Sequence, residues 1–302
     1  MESPIKKPVA GFKCLMYGRG WVSEFFLEEF QKRGLHFVQG EARVDDAVAL
    51  KEEISRIKPT HVLGAMGRTH GPDKPNIDWL ETRLQINLRD NLQAPLNLAL
   101  LCEDLGFHYT YIGTGCIFEF DEDHQEFDAK TGFLESDRPN FFASGYSKVK
   151  GVTDQLLHLF QGKPVLNVRI RMPISRKDNP RNFISKIVSY PRLVNIQNSM
   201  TVLDDLVPAL VDLMIGRQTG TLNATNPGTI SHNEIMEMYK EFVDKEKTWE
   251  NFSVEEQNRI LAAGRSNNRL DTTLLETLCP QVPDIRSAVS RAIQTWIPFN
   301  SQ

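Results

Sequence analysis

Short apolar runs alternate with amphipathic segments from Lys13 to Arg171, and that alternation leaves few folds open. Lys13-Cys14-Leu15-Met16-Tyr17 reads as a strand, and Trp21 to Arg33 as a helix with Val22, Phe25, Phe26 and Phe30 at helical spacing. His36-Phe37-Val38 predicts a second strand, Asp45 to Ile57 a helix, and His61-Val62-Leu63-Gly64 a third strand. Leu80 to Leu105 predicts a helix broken at Pro95, followed by a strand at His108 to Ile112. A helix over Tyr146 to Leu159 and a strand over Val165 to Arg171 complete the series. Strands separated by helices of this length predict an α/β fold, a doubly wound parallel sheet with helices on both faces.

Beyond Met172 the regularity fades, and Pro173, Pro180, Pro191, Pro227 and Pro280 punctuate loops and short helices. We expect a cofactor-binding domain over 10–172, with 199–222 returning to it, and a smaller C-terminal substrate-binding domain over 173–198 and 223–302. A chain of 302 residues has ample length for this. A net charge of −4 argues against bulk nucleic-acid binding. No apolar run reaches the roughly 20 residues of a membrane span, and Met1 to Phe12 lacks the apolar stretch of a secretory signal. Cys14, Cys102, Cys116 and Cys279 are scattered, without ligand spacing. They read as reduced thiols of a cytoplasmic protein, and no metal is expected.

Gly18-Arg19-Gly20-Trp21-Val22-Ser23 joins the first strand to the first helix. Glycines there let the backbone turn tightly and approach a diphosphate whose charge sits at the helix N-terminus. This is the dinucleotide cradle of a Rossmann-type fold, with Ser23 where the usual pattern has its third glycine. After the second strand the chain reads Gln39-Gly40-Glu41-Ala42-Arg43. Arg43 and Arg19 suit the 2′-phosphate of NADP(H), whereas Glu41 suits the ribose of NADH; both charges also fit a plain solvated surface.

Tyr146 and Lys150 stand four apart on one helix face. An ammonium near a phenol favours the phenolate and readies it for proton transfer. Thr114 closes the apolar strand Thr110-Tyr111-Ile112-Gly113, at the carboxyl end where open parallel sheets bind ligands. Glycine turn, strand-end threonine and tyrosine–lysine pair, in that order, point to an oxidoreductase.

Several longer stretches carry a family resemblance. They are Gly113-Thr114-Gly115-Cys116-Ile117-Phe118-Glu119, Tyr146-Ser147-Lys148-Val149-Lys150, Arg169-Ile170-Arg171-Met172-Pro173-Ile174, Asn179 to Lys186, Pro227 to Glu234, and Arg265-Ser266-Asn267-Asn268. With them the chain resembles the nucleotide-rhamnose synthase epimerase/reductases, extended short-chain dehydrogenase/reductases that act on nucleotide sugars. The resemblance implies a UDP-4-keto-6-deoxy sugar as substrate, 3,5-epimerisation, NADPH-dependent 4-reduction and a homodimer. It implies that Thr114, Tyr146 and Lys150 serve the reduction and that Cys116 and Lys186 are the epimerase acid–base pair. Gly67 and Arg68, after the third strand, are expected near the nicotinamide half of the cofactor. Asn87 matches an asparagine that supports the active-site lysine. Arg265 suits a diphosphate, and Asn182, Asn267 and Asn268 suit sugar or phosphate oxygens. A reductase without epimerase activity, a GDP-fucose-type epimerase/reductase and a non-catalytic NADP-binding regulator are the competing readings.

Overall fold

The computed structural model describes residues 11–128 and 131–299. Most of the segment behind the expectation of no secretory signal lies outside the described residues. In chain order the sheet layer comprises β1 (Lys13–Tyr17), α1 (Trp21–Lys32), β2 (His36–Gln39), α2 (Ala47–Ile57), β3 (His61–Gly64), α3 (Leu84–Leu88), α4 (Ala94–Leu105), β4 (His108–Thr114), α5 (Gly145–His158) and β5 (Val165–Ile170). After α6 (Phe183–Val188) and the short strands β6 (Arg192–Leu193) and β7 (Gln197–Asn198), α7 (Leu203–Ile215) and β8 (Gly220–Asn223) rejoin it. Six strands form one parallel sheet in the order β2-β1-β3-β4-β5-β8. The fold is α/β of the Rossmann type.

Alternation along β1 shows why helices cover both faces. Cys14 and Met16 point into one apolar layer with Phe26 and Phe30 of α1 and Leu206 and Leu210 of α7. Leu15 and Tyr17 point into the other, with Leu50 and Ile54 of α2 and Leu98 and Cys102 of α4. Every residue of β3, β4 and β5 is buried, as parallel strands covered on both faces require.

The predicted break at Pro95 does not occur. The chain stays helical from α3 into α4 because the turn between them, Arg89–Gln93, widens to a π-helical turn. Pro95 has no N–H, so the Asn91 carbonyl loses its helical donor. The Thr153 hydroxyl of α5 takes its place at 2.7 Å. A residue that breaks an isolated helix here welds two helices together.

The C-terminal part has its own apolar core. Ile184 and Ile187 of α6 pack with Ile235 and Met236 of α8 (His232–Phe242), and with Ile285, Val289 and Ile293 of a further helix, Ile285–Gln294. Between the two parts, β5 carries a buried ion pair, Arg169 with Asp154 of α5 at 2.7 Å. The same arginine also donates to Leu134 O and Asn223 Oδ1.

At the opposite end of the sheet from the glycine turn, His61 and His108 begin β3 and β4, both buried, their ring centroids 5.6 Å apart. Burial, then the neighbouring His108 and Arg217, hold His61 down to about 4, and burial also lowers His108. Between about 4 and the ordinary 6.5 the unfolded chain therefore binds more protons than the folded one. Stability falls as pH drops through that window. The melting temperature is expected to decline steadily from pH 6.5 to pH 5, before the carboxylates titrate. A flat profile there would show that these imidazoles are not held neutral.

Candidate active site

The chemistry gathers at the carboxyl end of β4. Thr114 is its last residue, and its Oγ1 accepts the Cys116 N–H at 3.1 Å, which turns the chain sharply. α5 starts alongside: Ser144 caps it by accepting the Ser147 N–H at 3.0 Å, and Ser147 Oγ donates to Cys116 O at 2.7 Å. The first turn of α5 is thus tied to the cysteine loop. Tyr146 is thereby placed with its phenol bonded to the Thr114 hydroxyl, packed beside Cys116, Trp79 and Leu80.

The charges differ from the expected ammonium–phenol pair. Lys150 donates its hydrogen bond to Tyr111 Oη at 2.5 Å, while its Nζ stands 5.9 Å from the centre of the Tyr146 ring. Burial pushes Lys150 down to about 7. Burial and the neighbouring Cys116 push the Tyr146 phenol up, against the Thr114 hydrogen bond. Desolvation outweighs the favourable pairing, so the phenol keeps its proton and is set up as an acid.

The glycine turn forms a cradle. Gly18 has φ +115°, and a Cβ there would stand 2.5 Å from Ala65 O. Gly20 begins α1 without a side-chain cap, and nothing lies within 4 Å of where its Cβ would be. Trp21 is buried against Phe25 and Val22 is half-buried against the same core, so this turn presents backbone N–H groups rather than side chains. Ser23, in the position of the missing third glycine, is buried and tolerated. Arg19 reaches Gly40 O at 3.5 Å, at the end of β2. Arg43 is exposed and paired with Asp45 at 3.0 Å.

The loop after β3 lies over Lys150. A Cβ on Gly67 would meet Lys150 Nζ at 3.1 Å and Asn91 Oδ1 at 3.2 Å. Asn91 clamps the loop, accepting the Arg68 N–H and donating to Arg68 O, each at 2.9 Å. The Arg68 side chain pairs with Asp90 at 2.5 Å. Asn87 accepts from Asn91 Nδ2 at 2.9 Å. Asn87, expected to support the active-site lysine, is bonded to Asn91, and Tyr111 accepts the lysine's hydrogen bond. Sequence reasoning missed Asn91 and Tyr111; Asn91 stood one helical turn beyond Asn87, on the same face.

A groove of about 500 Å³ lies along the C-terminal part, lined by Glu119, Phe141, Ile196, Asn258, Arg265 and Asn267 among others. Arg265 is braced by Ala263 O at 2.7 Å and Asp78 at 3.0 Å. Asn267 accepts from Asn198 at 2.9 Å. Lys186, on α6, is lowered by burial and then by the charges of Arg181 and Arg265. His70 is held to about 4 by burial, then by Arg181, Arg68 and Lys186. These cations are therefore near enough to repel one another, and an anionic ligand among them would relieve that repulsion.

Two predicted substrate ligands are occupied within the protein. Asn182 caps α6 by accepting the Ile184 N–H and donates to Ser175 O and Lys177 O. Asn268 donates to Gly115 O, Phe118 O and Ser266 Oγ, holding the cysteine loop. Both side chains are fully buried and their amide N–H groups are taken up within the protein, though the Asn268 Oδ1 has no hydrogen-bond partner. Among the described residues no cluster of His, Cys, Asp and Glu could hold a metal, and no helix is long and apolar enough to cross a membrane.

No family profile matches the chain. It is 47% identical over 284 residues to a protein of Acanthamoeba polyphaga mimivirus, covering 93% of this chain and 97% of the relative. A crystal structure of a UDP-rhamnose synthase from the same virus superposes with a TM-score of 0.91 at 46% identity, covering 95% of this chain and all of the other. The bifunctional dTDP-4-dehydrorhamnose 3,5-epimerase/reductase of Arabidopsis thaliana is 40% identical over 286 residues, 94% of this chain and 93% of that protein. An NADP complex of the dTDP-4-dehydrorhamnose reductase of Bacillus anthracis shares the fold, with a TM-score of 0.76 at 16% identity over 93% of this chain and 98% of that one. With relatives this similar along nearly its whole length, the chain belongs to the nucleotide-rhamnose synthase epimerase/reductases of the extended short-chain dehydrogenase/reductase superfamily.

Proposed function

We propose that the protein converts UDP-4-keto-6-deoxy-D-glucose to UDP-β-L-rhamnose, inverting C3 and C5 and then reducing C4. The observation that carries this reading is the juxtaposition of two proton-transfer groups, the Cys116 thiol and the Tyr146 phenol, at the end of β4. The UDP-rhamnose synthase of the mimivirus, similar over the whole fold, supports UDP as the carrier.

The glycine cradle and the open start of α1 fit a dinucleotide diphosphate. Gly18, Gly20 and the backbone of Trp21 and Val22 would hold it, with Gly67 and Arg68 toward the nicotinamide. Arg19 is placed for a 2′-phosphate at the end of β2, whereas Arg43 is already engaged by Asp45. NADPH, when bound, supplies the hydride for C4.

The protons at C3 and C5 are acidic because the C4 ketone takes up the electron pair as an enolate. Cys116 and Lys186 exchange those protons, and their return on the opposite face inverts each centre. Tyr146 then delivers its proton to the C4 oxygen, which Thr114 also holds by a hydrogen bond. Arg265 and Asn267 take the diphosphate end in the groove. The intact Thr114, Tyr146 and Lys150 set disfavours a non-catalytic regulator.

In deuterated water with NADPH, the product from the UDP-ketosugar is expected to carry deuterium at C3 and C5. Cys116→Ser should slow that incorporation by about 10²-fold or more, and Tyr146→Phe should slow reduction by about 10²- to 10⁴-fold. NADPH oxidation with no deuterium at either carbon would reduce the protein to a 4-reductase. A dTDP-ketosugar turned over in preference would replace UDP as the carrier.

Lys150, at about 7 in the free protein, gains an anionic neighbour when the dinucleotide binds and takes up a proton. NADPH affinity is therefore expected to weaken as pH rises from 7 to 9, by about tenfold per pH unit at most, and Lys150→Met should flatten the slope. A pH-independent dissociation constant, read by nucleotide fluorescence, would contradict this.

We also place the protein in the cytoplasm as a homodimer. Leu84 and Leu88 of α3, Leu100 of α4 and Val152 of α5 leave exposed apolar side chains on adjoining helices. Sedimentation at micromolar concentration should give twice the chain mass, and Leu100→Lys with Val152→Lys should halve it. A monomer in the unaltered protein would rule the dimer out.

A further inference from the structure

Asp154 stands one helical turn beyond Lys150 on α5, where a carboxylate would ordinarily serve the lysine as counter-ion. It is already committed. Its Oδ1 accepts from Asn167 at 2.7 Å and from Arg169 Nε at 2.9 Å, and its Oδ2 accepts from Arg169 Nη2 at 2.7 Å. Lys150, only 5% exposed, is left with a neutral acceptor, the Tyr111 phenol at 2.5 Å. A buried ammonium is costly unless its N–H groups are taken up, so this bond governs where the charge sits.

The phenol is itself firmly placed. Tyr111 lies on the face of β4 that packs with Leu98 of α4 and Leu157 of α5. The next residue on that face is Gly113, where a Cβ would stand 3.4 Å from Tyr111 Cε1, so the glycine leaves the ring room to lie along the strand. Beside it in register on β5 is Asn167, fixed by Asp154. The ammonium is enclosed from the other side by the loop after β3, since a Cβ on Gly67 would meet Nζ at 3.1 Å. Nζ is 5.1 Å from the centre of the Tyr111 ring and 5.9 Å from that of Tyr146, so it stands between the two phenols. The other ionisable groups nearby are Asp154, neutralised by Arg169; Arg68 and Asp90 of the enclosing segments, paired with each other; and Cys116, beyond Tyr146.

We propose that Tyr111 is a positioning residue for the reduction: its phenol oxygen takes one ammonium N–H of Lys150 from the sheet side and leaves the others directed at the cofactor and at Tyr146. The assignment rests on the reductase reading of Tyr146 and Lys150. As the C4 oxygen takes the proton of Tyr146, following hydride transfer from NADPH to the carbon, the phenol O–H bond breaks and a phenolate remains. An ammonium seated on Tyr111 steadies that negative charge. A lysine without the acceptor would lose its proton to its buried surroundings or swing away, and the phenolate would then form unpaired. Tyr111 touches none of the reacting atoms and acts through Lys150.

The test is a double-mutant cycle on NADPH oxidation with the ketosugar, joined to a titration of Lys150 in the cofactor-free protein. Tyr111→Phe fills the same space without the acceptor. It should lower kcat about tenfold or more and leave KM for the ketosugar within about threefold, since Tyr111 makes no contact with the substrate. Lys150→Met should lower kcat further, and adding Tyr111→Phe to it should change little more, because residues that act through one another do not add. The bond favours the charged lysine, so without it the Lys150 titration, followed by nuclear magnetic resonance of its Cε, should move to lower pH. The alkaline fall in kcat should move the same way. Circular dichroism reports that each variant is folded. An unchanged kcat or an unmoved titration in Tyr111→Phe would overturn the assignment, as would a loss that multiplies with that of Lys150→Met. Should Tyr111→Phe fail to fold, a crystal structure of the unaltered protein with NADPH decides: Lys150 Nζ should remain within about 3.2 Å of Tyr111 Oη, and a separation beyond hydrogen-bonding reach would overturn it. The reductase reading fails by a different result, the absence of NADPH oxidation in the unaltered protein, which would take this role from Tyr111 as well.

Discussion

Lys150, Arg169 and Arg171 are all buried beside the carboxyl ends of β4 and β5, and the way each charge is accommodated organises much else in the molecule. Arg169 keeps its charge through Asp154, and that pair joins β5 to α5. Lys150 has no carboxylate; it sits near 7 and donates to Tyr111. Arg171 is held by backbone carbonyls and amides from Asn198, Ser199, Ser266 and Asn268. A charge satisfied by a carboxylate is structural. The other two are satisfied by neutral groups alone, so each depends on a complete set of hydrogen bonds to stay buried.

Arg171 also explains why the C-terminal part matters to chemistry on β4. Its acceptors come from the segments around β7 and from residues 266–268, and Asn268 and Ser266 grip the backbone of the cysteine loop as well. The loop that carries Cys116 is thus shaped from below by β4 and from the side by a segment about 150 residues later. Removing either leaves buried carbonyls without donors.

What the sequence disclosed follows from the range of the forces involved. The strand–helix alternation, the glycine cradle and the spacing of Tyr146 and Lys150 are local, and each reads directly from neighbouring residues. The π-helical turn before Pro95 was not legible, because its stability comes from Thr153, 62 positions from Asn91. Asn182 and Asn268 looked like ligands because an amide in a motif can serve a substrate or a carbonyl equally well. Which of these it serves depends on carbonyls the fold brings to it, Ser175 and Lys177 for one, Gly115 and Phe118 for the other. The phenol of Tyr146 was misjudged for a related reason: spacing gives proximity to an ammonium but says nothing of desolvation, and here burial prevails.

The helical turn Ile77–Leu80 shows how the two ends of the site are kept in register. Asp78 accepts the Arg265 guanidinium at 3.0 Å and the Ala263 N–H at 3.3 Å, and so fixes the wall of the groove. The next two residues, Trp79 and Leu80, pack on Tyr146 and Cys116. Four consecutive residues therefore join the wall of the groove, where the proposed function places the diphosphate, to the Tyr146 and Cys116 side chains. The Asn76 side chain caps this turn by accepting the Asp78 N–H at 3.0 Å. On the proposed function, binding energy gained at Arg265 would serve orientation at C4, which is where a reaction that must invert the centres on either side before a hydride arrives depends on it most.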